Sequence, residues 1–413
     1  MTPSLKPRHL LGVALLCGCV RGEAPRASAS VVDSAGIQIV TAVPPYRTDG
    51  PGWTLATEPS AQIGQARGEA PYLFEGIVGI VRGSDGSTLV CNGGDRTLRR
   101  YDRDGSFLGQ SGGRGAGPSE LRQLSRCFAV GGAVWVYQSP FLPIKVYEAS
   151  GAFVRAVEMP RPNARAATLT GVLADGSLLL RQDAPRRELA EGLTSRSASV
   201  IVVVVSSEAP SYETLVVTTG DRWIRHGPLA FPAAFTPSLH ALVVGELIVV
   251  SWPETFDIAV MTRAGRVVRR IRRALAPVAV EARHRSAFRE RIRTGPMPGG
   301  DTPFQDAEVR RRIVDMMEYP AVLPAHYRLL VDAEGLLWIE RGDAPRDPLP
   351  QVADPYPDAT TWDVFTVQGR WLATLSFPPR FDPLQIGDDY VVGVHHDELG
   401  VERIHEYALE RGR

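Results

Sequence analysis

The feature that most constrains this chain is a recurring pair of glycine turns set between short apolar runs. The clearest copy spans Arg82 to Leu121, "RGSDGSTLVCNGGDRTLRRYDRDGSFLGQSGGRGAGPSEL". Its first turn, Ser84–Ser87, separates the run ending at Val81 from "TLV"; its second, Asp102–Gly105, separates "TLRRY" from "SFLGQ". Asp-Gly turns between β-branched and aromatic runs signal antiparallel hairpins, because only residues tolerant of positive φ match the strand twist there. The stretch is therefore predicted to be one antiparallel meander.

The layout recurs. The first turn returns in "VGGAVWVY" at Val130, "ADGSLLL" at Ala174, "VGELIVV" at Val244, "AEGLLWI" at Ala333 and "IGDDYVV" at Ile386. The second returns in "YEASG" at Tyr147, "MTRAG" at Met261, "FTVQG" at Phe365 and "YALERG" at Tyr407. One copy, after Val200–Val205, has no clear glycine. The first copies are about 45 residues apart, and a period of roughly 40–50 with four short strands per repeat marks propeller blades. The predicted fold is all-β, a six-bladed β-propeller of four-stranded antiparallel blades. A length of 413 residues suits it, because each blade repeats a small core.

"GGRGAGPSELR" at Gly112–Arg122, with "LVCNGGDRTLRRYDRDGSFLG" before it, resembles the NHL-repeat class of six-bladed propellers. In that class a Gly-rich turn carries the chain from one blade's outer strand into the next blade. Leu121 stands where the class has Phe, and Asn92 and Asp95 stand in for its aspartate. The likeness covers residues 77–158. It implies architecture, and leaves open the metal-dependent lyases and lactonases that share such propellers.

Lys6, Arg8 and His9 precede the apolar run "LLGVALLCGC", which is too short for a permanent membrane span. A basic flank and a short apolar core read as a secretory signal over residues 1–18. "LCGC" resembles a bacterial lipobox with Cys19 as the lipidated residue, followed by a tether over 19–30. The expected location is the bacterial envelope, periplasm-facing or exposed on the outer membrane. Residues 31–413 are expected to form one domain. Val31–Ala42, an early strand pair with a Gly turn, or Trp53–Ile63 is expected to close the ring, the alternative being an independent cap. Cys91 and Cys127 fall on neighbouring strands of adjacent blades, as a disulfide or as buried thiols.

Val280–Tyr319 breaks the strand rhythm. Val309, Ile313 and Met316 recur at helical intervals, and Asp306 or Thr302 offers a cap. A helical hairpin over about 280–319 is predicted between blades 4 and 5. Eleven arginines between Arg263 and Arg293 give it a basic flank, read as a solvated face rather than an anionic docking surface. Overall charge is balanced, 46 basic against 46 acidic residues, so nothing points to nucleic acid.

Few motifs carry chemistry. "GGRGAG" at Gly112 lacks the strand-to-helix setting that a phosphate loop needs, and Pro118 points to a turn. "HHDE" at His395–Glu398 has ligand types, but neighbours along a strand face opposite ways. Asp388 and Asp389 read as turn residues. No HExxH occurs, and no catalytic residue, cofactor or metal ligand is assigned. The loops after each second strand should share one face. They offer Asn92, Asp95, Gln138, Gln182, Asp183, Trp252, Glu254, Arg341, Asp343, His396 and Asp397. From these, Asn92, Asp95, Gln138, Trp252, Glu254, Arg341, His396 and Asp397 are the expected ligand-binding set. The expected role is binding or scaffolding at the envelope, with a saccharide, peptide or protein as partner. The alternative is a metal-dependent lyase or lactonase-like hydrolase using the central channel.

Overall fold

A computed structural model describes residues 29–44, 52–185, 188–204, 210–227, 229–236, 238–294, 306–343 and 359–412. Residues 1–18, expected as a signal segment, and Cys19 and Thr302 lie outside the described residues. Four short strands come first: β1 (Ala29–Ser34), β2 (Ile37–Ala42), β3 (Thr54–Leu55) and β4 (Ala61–Ile63). Then the repeat begins. The first sheet holds β5 (Ile77–Arg82), β6 (Thr88–Asn92), β7 (Thr97–Tyr101) and β8 (Phe107–Gly112). The second holds β9 (Arg126–Val130), β10 (Ala133–Tyr137), β11 (Ile144–Glu148) and β12 (Phe153–Val157). The third holds β13 (Thr168–Val172), β14 (Leu178–Asp183), β15 (Gly192–Val204), β16 (Ser211–His226) and β17 (Leu229–Pro232).

The fourth repeat contributes β18 (His240–Val244), β19 (Leu247–Trp252), β20 (Asp257–Thr262) and β21 (Val267–Arg273). Helices α1 (Ala282–Thr294) and α2 (Ala307–Met316) follow. The fifth sheet is β22 (His326–Val331), β23 (Leu337–Arg341), β24 (Thr360–Phe365) and β25 (Trp371–Phe377). The sixth is β26 (Phe381–Ile386), β27 (Tyr390–His396) and β28 (Glu402–Glu410). The innermost strands β5, β9, β13, β18, β22 and β26 touch in cyclic order, with β26 returning to β5. The fold is therefore an all-β, propeller-type ring.

Strand alternation explains how the sheets cohere. Successive side chains face opposite ways, so Leu89 and Cys91 pack toward the second sheet while Val90 packs toward the sixth. Each neighbouring pair of sheets encloses its own apolar core in this manner. The turns obey the glycine pattern: Gly86 and Gly335 both sit at φ +79°, where a side chain is strained.

Ring closure follows one of the expected routes. Leu55 and Glu410 flank a pairing of β3 with β28, and β4 pairs with β28 through Ile63 and Ile404. Val31–Ala42 does something else. Hairpin β1–β2 lies parallel to β21, from Gln38 opposite Arg269 to Ala42 opposite Arg273, and so lengthens the outer edge of the fourth sheet. An outer strand presents unpaired amides and carbonyls, and the hairpin satisfies them. The Gly-rich segment Gly112–Arg122 is an inter-sheet turn. Leu121 is fully buried in the core between the first two sheets, and Tyr147 Oη donates to the Ser119 carbonyl at 2.7 Å.

Helix α2 starts where expected: Asp306 accepts from the amides of Glu308 at 2.7 Å and Val309 at 3.4 Å. Its basic residues meet local acids, as with Arg312 and Glu308 at 2.8 Å. Both helices bury one face, Phe288 and Ile292 from α1 and Ile313 and Val314 from α2. Their partner is unusual. Hairpin β15–β16 overruns β14, with Gly192–Ser195 pairing Arg222–Arg225 past the last rung between β14 and β15 at Asp183. Ile224 from this extension, Phe231 on β17 and Phe235 after it pack against the helices, Phe235 and Phe288 meeting edge to face at 5.3 Å. Together they form a cap with its own core. Strand β14 ends, β21 ends and β22 begins at the same end of the sheets, so the cap stands there.

Candidate functional site

The innermost strands surround a central channel of about 900 Å³. Its two ends differ. Arg126, Thr168 and His240 open β9, β13 and β18, so they lie at the capped end. Val81, Val130, Val172, Val243, Val331 and Ile386 line the opposite end with apolar surface. The polarity arises because β9, β13 and β18 each run from a polar entry residue toward apolar residues.

Arg181, at the capped end of β14, organises the polar wall. Its Nε and Nη2 donate to Asp183 Oδ1 at 3.0 and 2.9 Å, and Nη2 also donates to Asp221 Oδ1 at 2.8 Å. Its Nη1 donates to Ser238 Oγ and the Leu239 carbonyl, both at 2.9 Å. Burial opposes the charge on Arg181, but Asp221 and Asp183 more than offset it and raise its pKa. Arg126 is different. It is open to the channel, and among the described residues no acid bonds it. Its enclosure within the channel lowers its pKa; Tyr137 opposes this and the field of Arg181 adds to it.

His240 is partly open to the channel, although its Nε2 is buried without a partner among the described residues. Burial pulls its pKa down to about 4; a hydrogen bond to the Tyr327 backbone opposes this, and Arg181, Arg126 and Arg328 reinforce it. The ring is therefore neutral near pH 7. Behind it, 6.2 Å between centroids, lies fully buried His326, whose Nε2 sits 2.9 Å from Ser251 Oγ. Arg328 pairs with Asp382 and donates to the Pro383 carbonyl at 2.9 Å.

The loop residues expected to bind ligand serve local structure, and none of that set lines the channel. Asn92 is buried, accepts from the Glu75 amide at 2.9 Å and donates to Asp95 at 2.7 Å. Asp95 also accepts from Thr97 and Arg99, which with Asn92 keep its pKa low against the burial that would raise it. Gln138 bridges the Arg122 amide at 2.8 Å and the Pro143 carbonyl at 2.6 Å. Trp252 packs beside the core between the third and fourth sheets, bonds Thr218 through Nε1, and carries Arg270 over its face at 5.6 Å. Glu254 pairs with Arg222 at 2.6 Å. Arg341 grips the buried Asp363, and Gln182 donates to the Pro162 carbonyl at 3.0 Å.

The "HHDE" stretch divides as strand geometry demands. His395 stacks on His405 at 4.5 Å, whereas His396 is buried beside Glu402 at 3.3 Å. Asp397 caps its turn by accepting from Leu399 and Val401, both at 2.9 Å. These backbone bonds lower its pKa, together with Arg403. The string "GQSGG" at Gly109–Gly113 has the spacing of a nucleophile elbow. Ser111, however, lies on outer strand β8, and the pocket beside it has no histidine in its lining.

Of the wider loop set, only Asp183 reaches the channel wall. Arg126, Thr168, Arg181, Asp221, Ser238 and His240 were missed. A signal existed in "RCFAV", "TLTGV" and "HALVV", whose first residues occupy equivalent repeat positions.

No family model matches the chain, and no curated protein matches it. Among solved structures, a DUF4221-family member from Bacteroides vulgatus aligns with TM-score 0.51 and 8% identity, over 87% of this chain and 99% of that one. This likeness concerns the fold alone. A Bacteroides fragilis protein named as exported gives TM-score 0.47 at 12% identity, over 91% and 100% of the two chains. A Xanthomonas campestris gluconolactonase gives TM-score 0.41 at 11%, over 86% and 100%.

Proposed function

We propose that this chain is an exported, lipid-anchored six-bladed propeller that binds a small ligand at the capped end of its channel. One observation carries the reading. The cap, with its own hydrophobic core, stands at the same end of the sheets as the polar end of a cavity large enough for a ligand, and that end presents hydrogen-bonding groups not consumed by the fold. Asn92, Asp95, Gln138, Arg341, His396 and Asp397 then act by shaping the loops around the rim. Glu254 ties the cap extension down through Arg222.

The metal-dependent lyase or lactonase reading fits the residues less well. A divalent cation needs converging carboxylates and imidazoles. Here Asp183 and Asp221 already share Arg181, Arg126 adds positive charge to the same wall, and among the described residues no group of three or more His, Cys, Asp and Glu could hold a metal. The test is a thermal-shift screen of the full chain in detergent against saccharides, organic acids and peptides. Ala129 lines the channel and is exposed to it, so Ala129→Trp serves as a channel-filling control. A hit that this variant abolishes is expected. A stoichiometric bound ion together with chelator-sensitive lactone hydrolysis would overturn the reading.

A further inference from the structure

The channel wall separates charge. At one point Arg181 serves two carboxylates, both through Oδ1. Among the described residues the Oδ2 atoms of Asp183 and Asp221 have no protein partner, and both residues line the cavity with side chains about a fifth exposed, 21% and 23%. Two carboxylates against one guanidinium leave one negative charge in excess there. At the other point Arg126 presents one guanidinium that no acid bonds among the described residues. The wall is therefore close to neutral overall but locally split.

We propose that this end of the channel recognises a zwitterion, an amino acid or short peptide carrying a free carboxylate and a free ammonium group. This rests on the channel being the ligand site. Arg126 takes the carboxylate, because a guanidinium offers paired donors in the geometry of two carboxylate oxygens. The open Oδ2 atoms of Asp183 and Asp221 take the ammonium, whose donors need more than one acceptor. A ligand with only negative charge would face the aspartate pair, and one with only positive charge would face Arg126. A zwitterion satisfies both points. Thr168 and Ser238 supply further polar contacts to the backbone of the ligand. The valine-lined far end favours an apolar side chain, since burying it there removes apolar surface from water on both partners.

The test is calorimetric titration of the full chain in detergent with L-leucine and with leucyl-leucine, alongside their N-acetyl and C-amide forms. The expected result is binding of at least one zwitterion, weakened tenfold or more by either acetylation or amidation. Arg126→Gln should erase the penalty for amidation while keeping that for acetylation. Asp221→Asn should do the reverse, since Arg181 keeps Asp183. Comparing the two parent compounds shows whether the amino acid or the peptide is preferred. Binding unaffected by either blocking group, or an amidation penalty unchanged in Arg126→Gln, would overturn the proposal. So would silence toward both zwitterions in a folded chain. If such a silent chain binds maltose in an Ala129→Trp-sensitive way, the zwitterion fails and the channel site stands. Zwitterion binding that survives Ala129→Trp would instead remove the channel site itself.

Discussion

Cys91 and Cys127 are joined by a disulfide that ties β6 of the first sheet to β9, the innermost strand of the second. The bond settles an alternative that the sequence left open, and it anchors the residue beside Arg126. Gly79 shows how closely the strands approach: a Cβ there would lie 2.9 Å from the Cys127 Cβ.

Removing this bond should weaken the ring at the joint between the first two sheets, beside Arg126. The bond closes a loop with sequence separation 36. Loop-closure entropy for that length predicts a loss of about 4 kcal/mol in Cys91→Ser with Cys127→Ser. Denaturant unfolding of the paired variant measures it. An unchanged midpoint would mean that packing alone holds the joint.

Asp363 is fully buried and holds both Arg273, at 2.6 Å, and Arg341, at 2.7 Å. Asp363→Asn should cost about 3–5 kcal/mol, because it strands two cations in a desolvated setting. Arg341→Ala should cost less, since Arg273 still neutralises the carboxylate. Equal losses in the two variants would contradict this ranking.

Trp252→Ala should lower stability by about 3 kcal/mol, the low end for a buried tryptophan, because the ring is only partly covered. The sequence had left a ligand-contacting role open for this residue. A loss below about 1 kcal/mol would restore it.

Stability should fall with acidification in a histidine window. Burial holds His240 and His405 each at about 4, below the ordinary 6.5. The unfolded chain takes up protons that the folded chain refuses. The contribution is whole above about pH 6.5, is lost as pH falls toward about 4, and levels below it, at up to about 1.4 kcal/mol per proton and pH unit. Urea midpoints at several pH values measure the slope, and His405→Gln should make it shallower. A flat profile between these limits would show that the rings are protonated in place.

Membrane attachment should depend on Cys19. Cys19→Ala is expected to abolish incorporation of labelled fatty acid and release the chain into the soluble fraction. Continued membrane partitioning would point instead to the arginines flanking α1.

The sheets were legible in the sequence because a glycine turn between alternating strands is a local signal. "SDGS" and "DRDG" needed no distant partner to be read. The helices were legible by the same logic, through their apolar spacing and Asp306. The site was not. Loop residues such as Asn92, Gln138 and Asp397 looked available because polar residues after a strand are usually solvated, yet each is engaged by a nearby backbone group. Arg126, Arg181 and His240 looked like ordinary strand residues, and Asp221 lies inside the long β16. Sequence alone determined that this chain repeats a four-stranded unit, and left open which N-terminal strands close it. Only the tertiary structure decided where charge is left unpaired. That depends on which carboxylate reaches which guanidinium: Asp183 and Asp221 reach Arg181 within the third sheet, while among the described residues no acid bonds Arg126 on the second, and such pairings follow from strand register and side-chain direction rather than from local sequence.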